Sequence, residues 1–249
     1  VIRWPVLHRE PVQLPILAGY EFTLWETLLE LGDLRPQEWT LIGGQMVFIH
    51  AIEGGVEPVR VSSDLDVLVN ARIVTGGVSE FVRAIQNLGF TLAGSSPEGL
   101  AHRYRRGRVS LDVLAPEGLG PRTDITTTRP GRTLQVPGGT QAIARTELLP
   151  IAAGDSEGLV PRPSLLGAII IKAAAVDADD LPHAQRNDLA LLLSLLEQPT
   201  AIREQLTPKD RMRLRRRSEM LNPEHRAWSP LPRSQADRGR AALRLVVND

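Results

Sequence analysis

The chain has 249 residues, 42% hydrophobic and 23% charged, enough apolar material for one large domain or two small ones. It contains no cysteine, which excludes disulfides, thiolate nucleophiles and cysteine-based metal sites. The formal net charge is +0, yet from residue 201 onward there are 12 basic against 6 acidic side chains, and before it 17 against 23. An acidic front and a basic tail suggest separate tasks. No apolar run reaches the length of a bilayer, and the first residues lack the layout of a signal peptide. A cytoplasmic protein with no membrane partner is therefore expected.

In chain order, residues 1–18 are punctuated by proline and are expected to wrap the surface. "YEFTLWETLLELG", residues 20–32, spaces its apolar positions like a helix and stops at a glycine. "EWTLIGG" reads as a short strand ending in Gly43 and Gly44, and "QMVFIHAIEG" as a helix closed by Gly54. "VRVSSDLDVLVN", residues 59–70, is another strand. "SEFVRAIQNLGF" is an amphipathic helix with Ser79 as its N-cap. Residues 89–115 read as a meander of three strands, and 132–152 as two more short strands around "VPGGT".

Beyond "LVPRP" the pattern becomes helical. "SLLGAIIIKAAAVDA" has Ser164 as N-cap, and "PHAQRNDLALLLSLLEQ" has Pro182 in its first turn. Two more helices are expected at 207–221 and 233–247. The division is an α+β unit with a mixed sheet over residues 1–155, N-terminal extension included, then an all-helical unit over 156–249.

Side chains two apart on a strand point the same way. Asp64, Asp66 and Leu68 therefore share one face, and Leu65, Val67 and Val69 the other. Two carboxylates about 7 Å apart along a strand can converge on divalent cations. Oxygen ligands suit Mg²⁺ or Mn²⁺, bound by one or two carboxylates plus substrate phosphates. In "RVSLDVLAP" the in-phase residues are Ser110, Asp112 and Leu114. If that strand lies beside the first, Asp112 completes a three-carboxylate site able to hold two metals. The plain alternative is a set of solvated acids at strand ends.

Gly43 and Gly44 stand between a strand and a helix, where backbone without side chains can approach a phosphate at a helix N-terminus. A tight turn with no ligand is the other reading, and Gln45 then adds a contact or simply caps. Lys172 is one of only two lysines among 29 basic residues, and it sits in a helix that is apolar nearly all round. Such a helix is buried. Its lysine must be paired, face a polar cleft, or snorkel to solvent. Asp188 lies near the start of its helix, where the dipole favours an acid.

Gly43-Gly44, then Asp64-x-Asp66, then Asp112 resembles the DNA polymerase β nucleotidyltransferase superfamily. "GGQMVFIHAIEGGVEPVRVSSDLDVLV" is similar to its AbiEii/MenT branch, known as toxins of type IV toxin–antitoxin systems. Nineteen residues separate Gly44 from Asp64, longer than the minimal superfamily pattern, and a longer first helix would absorb the difference. His50 and Arg60 fall where this branch often has a histidine and an arginine. "IIIKAAAVDADDLPHAQRNDLALLLSLL" is similar to its lysine helix and the helix that follows, implying roles for Lys172, Arg186 and Asp188. Asn187 stands where a lysine is frequent. The similarity covers about residues 39–197.

The resemblance implies a mixed-sheet nucleotidyltransferase domain that moves an NMP from an NTP to an acceptor hydroxyl. Asp64, Asp66 and Asp112 would bind Mg²⁺ or Mn²⁺. Gly43, Gly44, Gln45, Lys172 and Arg186 would hold the nucleotide, and Asp188 would orient Lys172, Arg186 or the nucleotide. It further implies tRNA 3′ ends as acceptor and a neutralising antitoxin protein. The alternatives are transfer to a small molecule such as an aminoglycoside, or a non-catalytic nucleotide- or RNA-binding protein on the same fold. The run Arg211, Arg213, Arg215, Arg216 and Arg217 either contacts RNA phosphates or forms a solvated face.

Overall fold

The strand holding the acid pair is Asp64–Val69 (β3), and its Leu65, Val67, Leu68 and Val69 are fully buried. In the computed structural model, which describes residues 4–15, 20–60, 62–72, 76–178 and 180–247, β3 is central in its sheet. On one side it pairs antiparallel with Trp39–Ile42 (β2). On the other it pairs parallel with Val109–Pro116 (β6). The sheet continues antiparallel through Arg103–Arg106 (β5) to Thr91–Leu92 (β4). The expected meander is present, and Gln135–Val136 (β7) adds a short parallel pairing at the far end of β6.

A strand with buried side chains on both faces needs cover on both. The amphipathic helix Gly77–Asn87 (α3) packs Val78, Phe81, Val82 and Ile85 against β3 and β6. Ser79 is not its N-cap. The helix opens at Gly77 after Gly76, whose φ of 70° suits glycine, and the Ser79 hydroxyl donates back to the Gly76 carbonyl at 3.0 Å. The helix Gly43–Glu53 (α2) is buried over eight of its residues and touches β2, β3 and the helical region.

A second sheet joins Thr146–Ala153 (β8) and Ser156–Pro163 (β9) as an antiparallel hairpin, with Val12–Gln13 (β1) parallel to β8. Tyr20–Asp33 (α1) packs on β9. The early residues thus do more than wrap the surface: Val6 also bridges to Leu148, although part of that segment lies outside the described residues. The hairpin spans residue 155, and from Leu165 onward the described elements are all helical. Between Gln135 and Ala153 the chain forms the two expected strands, β7 and β8, with the helix Gly139–Ala144 (α4) between them.

Leu165–Ala175 (α5) is capped by Ser164, which accepts from the Gly167 N–H. Pro182–Ser194 (α6) begins with its proline. Pro199–Glu204 (α7) is a helix the sequence did not announce, since its propensity signal is confined to one turn. The expected 207–221 helix is split. Pro208–Arg215 (α8) starts in a capping box formed by Thr207 and Asp210, and a 3-10 turn follows at Ser218–Leu221. Arg233–Val247 (α9) crosses α6. The architecture is α+β, mixed sheets followed by a helical region. Among the described residues no helix is long and apolar enough to cross a membrane.

The α6–α9 contact depends on a glycine. A Cβ at Gly239 would lie 2.7 Å from Trp228 Cζ3 and 3.2 Å from backbone atoms of Ala190 and Ser194. Trp228 cannot step aside, because it is buried and its indole N–H donates to the Met220 carbonyl at 2.7 Å. Gly239→Ala gains helix propensity of about 1 kcal/mol but overpacks this crossing. A net loss of roughly 1–2 kcal/mol is expected in urea unfolding.

Candidate active site

The β3–β6 register aligns Asp64 with Ser110 and Asp66 with Asp112. Adjacent carboxylates on neighbouring strands repel, and Asp112 is buried. Two cations answer them. Arg103 on β5 lies opposite Asp112 and grips both its oxygens, Nε to Oδ1 at 2.8 Å and Nη2 to Oδ2 at 2.7 Å. Lys172 on α5 acts at longer range on Asp66. The compensation is incomplete. Burial, then Asp112 and Asp64, push the Asp66 carboxyl up to about 6 against the pull of Lys172 and Arg103.

Gly43 follows from the same geometry. Its φ is 70°, and a Cβ there would sit 1.8 Å from Asp66 Oδ2. A Cβ on Gly44 would meet Ser62 Cβ at 2.5 Å. The glycines let the first turn of α2 lie directly on the acid-bearing strand and the loop before it. Gln45 faces away from solvent and donates to the Ser62 carbonyl at 2.5 Å, tying helix to loop.

Lys172 and Asp188 form the other wall. Lys172 Nζ lies 2.9 Å from Asp188 Oδ2 and donates to Gln185 Oε1 at 2.9 Å. Arg60 takes both Asp188 oxygens, Nε to Oδ1 at 2.9 Å and Nη2 to Oδ2 at 2.7 Å. Burial alone would raise the Asp188 carboxyl; Lys172 and Arg60 outweigh it and hold it below its usual range. Asp188 is wholly buried, so it is more than a helix-dipole partner. It fixes a loop cation and a helix cation at once.

Between these walls lies a cleft of about 340 Å³ lined by Gly43, Asp66, Asp112, Lys172, Gln185 and His102, with apolar side chains from β6, β7 and α5. The structure thus gathers Gly43, Asp64, Asp66, Asp112, Lys172 and Asp188 in one region. Gln45 packs inside, and Arg186 pairs with Glu219 at 3.2 Å, so neither lines the cleft. Sequence reasoning missed Arg103, His102 and Gln185. The alternation in "RYRR" with its buried Tyr104 hinted at a strand, but nothing local revealed that Arg103 lies opposite Asp112.

The expected basic surface is partly internal. Arg213 is buried and donates to Glu117 at 2.7 Å, and Arg217 is buried against Asp177 at 2.6 Å. Arg145 reaches the fully buried Asp210 at 2.9 Å. These pairs tie α8 to the ends of β6, α5 and α4. Arg211, Arg215 and Arg216 stay at the surface.

Among the described residues no three His, Cys, Asp or Glu side chains are arranged to hold a metal ion by themselves. Arg103 occupies Asp112, which leaves Asp64 and Asp66 as the carboxylates that fit a cation completing its shell with phosphate oxygens and water. A cation there would offset the burial and like-charge repulsion that raise the Asp66 carboxyl.

That shift sets a pH dependence. A carboxyl raised in the folded state contributes stability below its unfolded value near 4, and this is lost as pH rises through about 6. The metal-free protein should lose up to roughly 3 kcal/mol between those limits. Asp66→Asn should flatten that slope, and Mg²⁺ or Mn²⁺ should raise the melting temperature of the wild type more at pH 7 than at pH 5. Calorimetry across pH reads both. Separately, Asp188→Asn leaves Lys172 without its charge partner in a buried setting. It should cost on the order of 3 kcal/mol in denaturant unfolding, and Asp188→Asn combined with Lys172→Met should recover part of that loss.

No protein-family model and no curated protein matches the sequence. Among solved structures, an antigenic nucleotidyltransferase-like protein from Paracoccidioides brasiliensis is similar, with a TM-score of 0.53 at 12% identity, over 95% of this chain and 97% of that one. The likeness is one of fold: this chain has a nucleotidyltransferase-like fold.

Proposed function

We propose that the protein is a metal-dependent nucleotidyltransferase that moves an NMP from an NTP to an acceptor hydroxyl. The observation that carries this reading is the pairing of Asp66 with Asp112 at the mouth of a glycine-started helix, facing Lys172 across one cleft. Asp64 and Asp66 would hold Mg²⁺ or Mn²⁺, which when bound supplies positive charge to the triphosphate.

The chain's own groups do the rest. The first turn of α2 offers backbone N–H groups and Lys172 a mobile ammonium to the phosphates. Asp188 and Gln185 position that ammonium. Asp112, once released by Arg103, takes the acceptor proton as the acceptor oxygen bonds to the α-phosphorus. The bond between the α- and β-phosphates breaks, and pyrophosphate leaves. The apolar flank of the cleft suits the sugar and base.

The resemblance of residues 39–197 to the AbiEii/MenT branch supports a finer reading: a toxin acting on tRNA 3′ ends in the cytoplasm, where NTPs are supplied, and neutralised by an antitoxin protein. The two buried arginines of the α8 segment weaken the expectation that its whole basic run contacts RNA. Transfer to an aminoglycoside has no specific support, since guanidiniums flank the acids.

Incubation with each α-labelled NTP, Mg²⁺ or Mn²⁺, and whole-cell RNA should transfer label, and Asp66→Asn should reduce transfer at least about a hundredfold. Unlabelled RNA with all four nucleotides, or equal labelling by the variant, would end this reading.

A further inference from the structure

The sheet face that carries the acids does not stop at Asp112. Residues in register across neighbouring strands share a face. One row runs Asp66, Asp112, Arg103, and the next runs Asp64, Ser110, Arg105, Thr91. Within two strand spacings, about 10 Å, the face changes from carboxylates to guanidiniums. At the arginine end lies a second cleft of about 400 Å³, lined by Gly94, Ser95, His102, Arg103 and Arg105. His102 lines both clefts, and its Nδ1 is buried without a hydrogen-bond partner. Glu98, in the same loop, hydrogen-bonds to Ser96 and is not part of the lining.

We infer that this second cleft is the acceptor site, and that it takes a polynucleotide strand end whose terminal hydroxyl lies one sugar from a phosphodiester. The inference rests on the nucleotidyltransferase reading above. The geometry explains the class of acceptor. A hydroxyl over Asp112 places the neighbouring phosphate over β5, where Arg103 and Arg105 are exposed. The Arg103 side chain is 46% solvent-accessible, so an acceptor phosphate can reach its guanidinium from solvent while Asp112 stays beneath it. An acceptor phosphate that draws Arg103 away also frees Asp112 for the acceptor proton. The lining has no Phe, Tyr or Trp, so it grips the backbone more than it reads bases by stacking. A polycationic acceptor meets the wrong charge here.

The probe is a short 5′-fluorescein-labelled single-stranded oligoribonucleotide, followed by anisotropy across a salt series. Arg105→Glu should weaken its binding roughly tenfold or more and lower the salt slope by about 0.7 for each RNA phosphate that the variant no longer neutralises. Arg105→Ala should show a smaller loss in the same direction. The thermal shift produced by a non-hydrolysable NTP with Mn²⁺ should persist in both variants, which also shows that they fold. Arg211→Glu and Arg215→Glu on α8 should bind the RNA as the wild type does. Wild-type protein that ignores the RNA, an Arg105→Glu variant that binds it unchanged, or a loss confined to the α8 variants would each overturn the assignment. A wild type that binds the RNA through Arg105 yet shows no nucleotide-induced shift would overturn the transferase reading instead.

Discussion

The parallel pairing of β3 with β6 forces two carboxylates into adjacent registers on a half-buried face, and much of the surrounding architecture answers that repulsion. Arg103 takes both oxygens of Asp112, and Lys172 lies within electrostatic reach of Asp66. Gly43 leaves the space that Asp66 fills. The residual penalty remains on Asp66, where a cation would relieve it. A like-charge pair of this kind is costly to keep without an ionic ligand.

The helical region contributes through a second buried charge. Asp188 binds Arg60 from the loop before β3 and Lys172 from α5, so one carboxylate couples the sheet's entry loop to the helices. Its value is positional: it sets where the lysine ammonium stands relative to the acids. The same device recurs around α8, where the buried Asp210, Arg213 and Arg217 join α4, β6 and α5 through ion pairs. Such pairs contribute little net stability against an apolar replacement, but breaking one is expensive, so they hold geometry. A cluster away from the cleft follows the same rule. Arg162 is buried beside His50, whose imidazole is held neutral by burial and by that guanidinium, while Glu53 at 2.6 Å balances the charge.

Charge is therefore distributed by role rather than by segment. The acidic front and basic tail of the sequence do not persist as separate regions in space, because the tail's arginines meet acids from the front: Arg213 meets Glu117 and Arg217 meets Asp177. The exposed basic feature nearest the acids is on β5, a strand that the sequence presented only as a meander element.

What the sequence determined by itself was local. Alternation placed Asp64 and Asp66 on one strand face and Asp112 on another, and apolar periodicity gave α1, α2, α5, α6 and α9. Ser164 and Pro182 marked helix starts through hydrogen-bonding and φ preferences that act within one turn. Tertiary structure decided the rest: that β3 and β6 are neighbours in the register Asp66 to Asp112, that Arg103 lies opposite, and that Lys172 meets Asp188 and Gln185. It also turned Gln45 and two of the five arginines inward and split the 207–221 helix. Side-chain periodicity is a property of a few consecutive residues, whereas strand order and ion-pair partners are fixed by burying surfaces from separate elements, which can lie as far apart in sequence as Arg60 and Asp188.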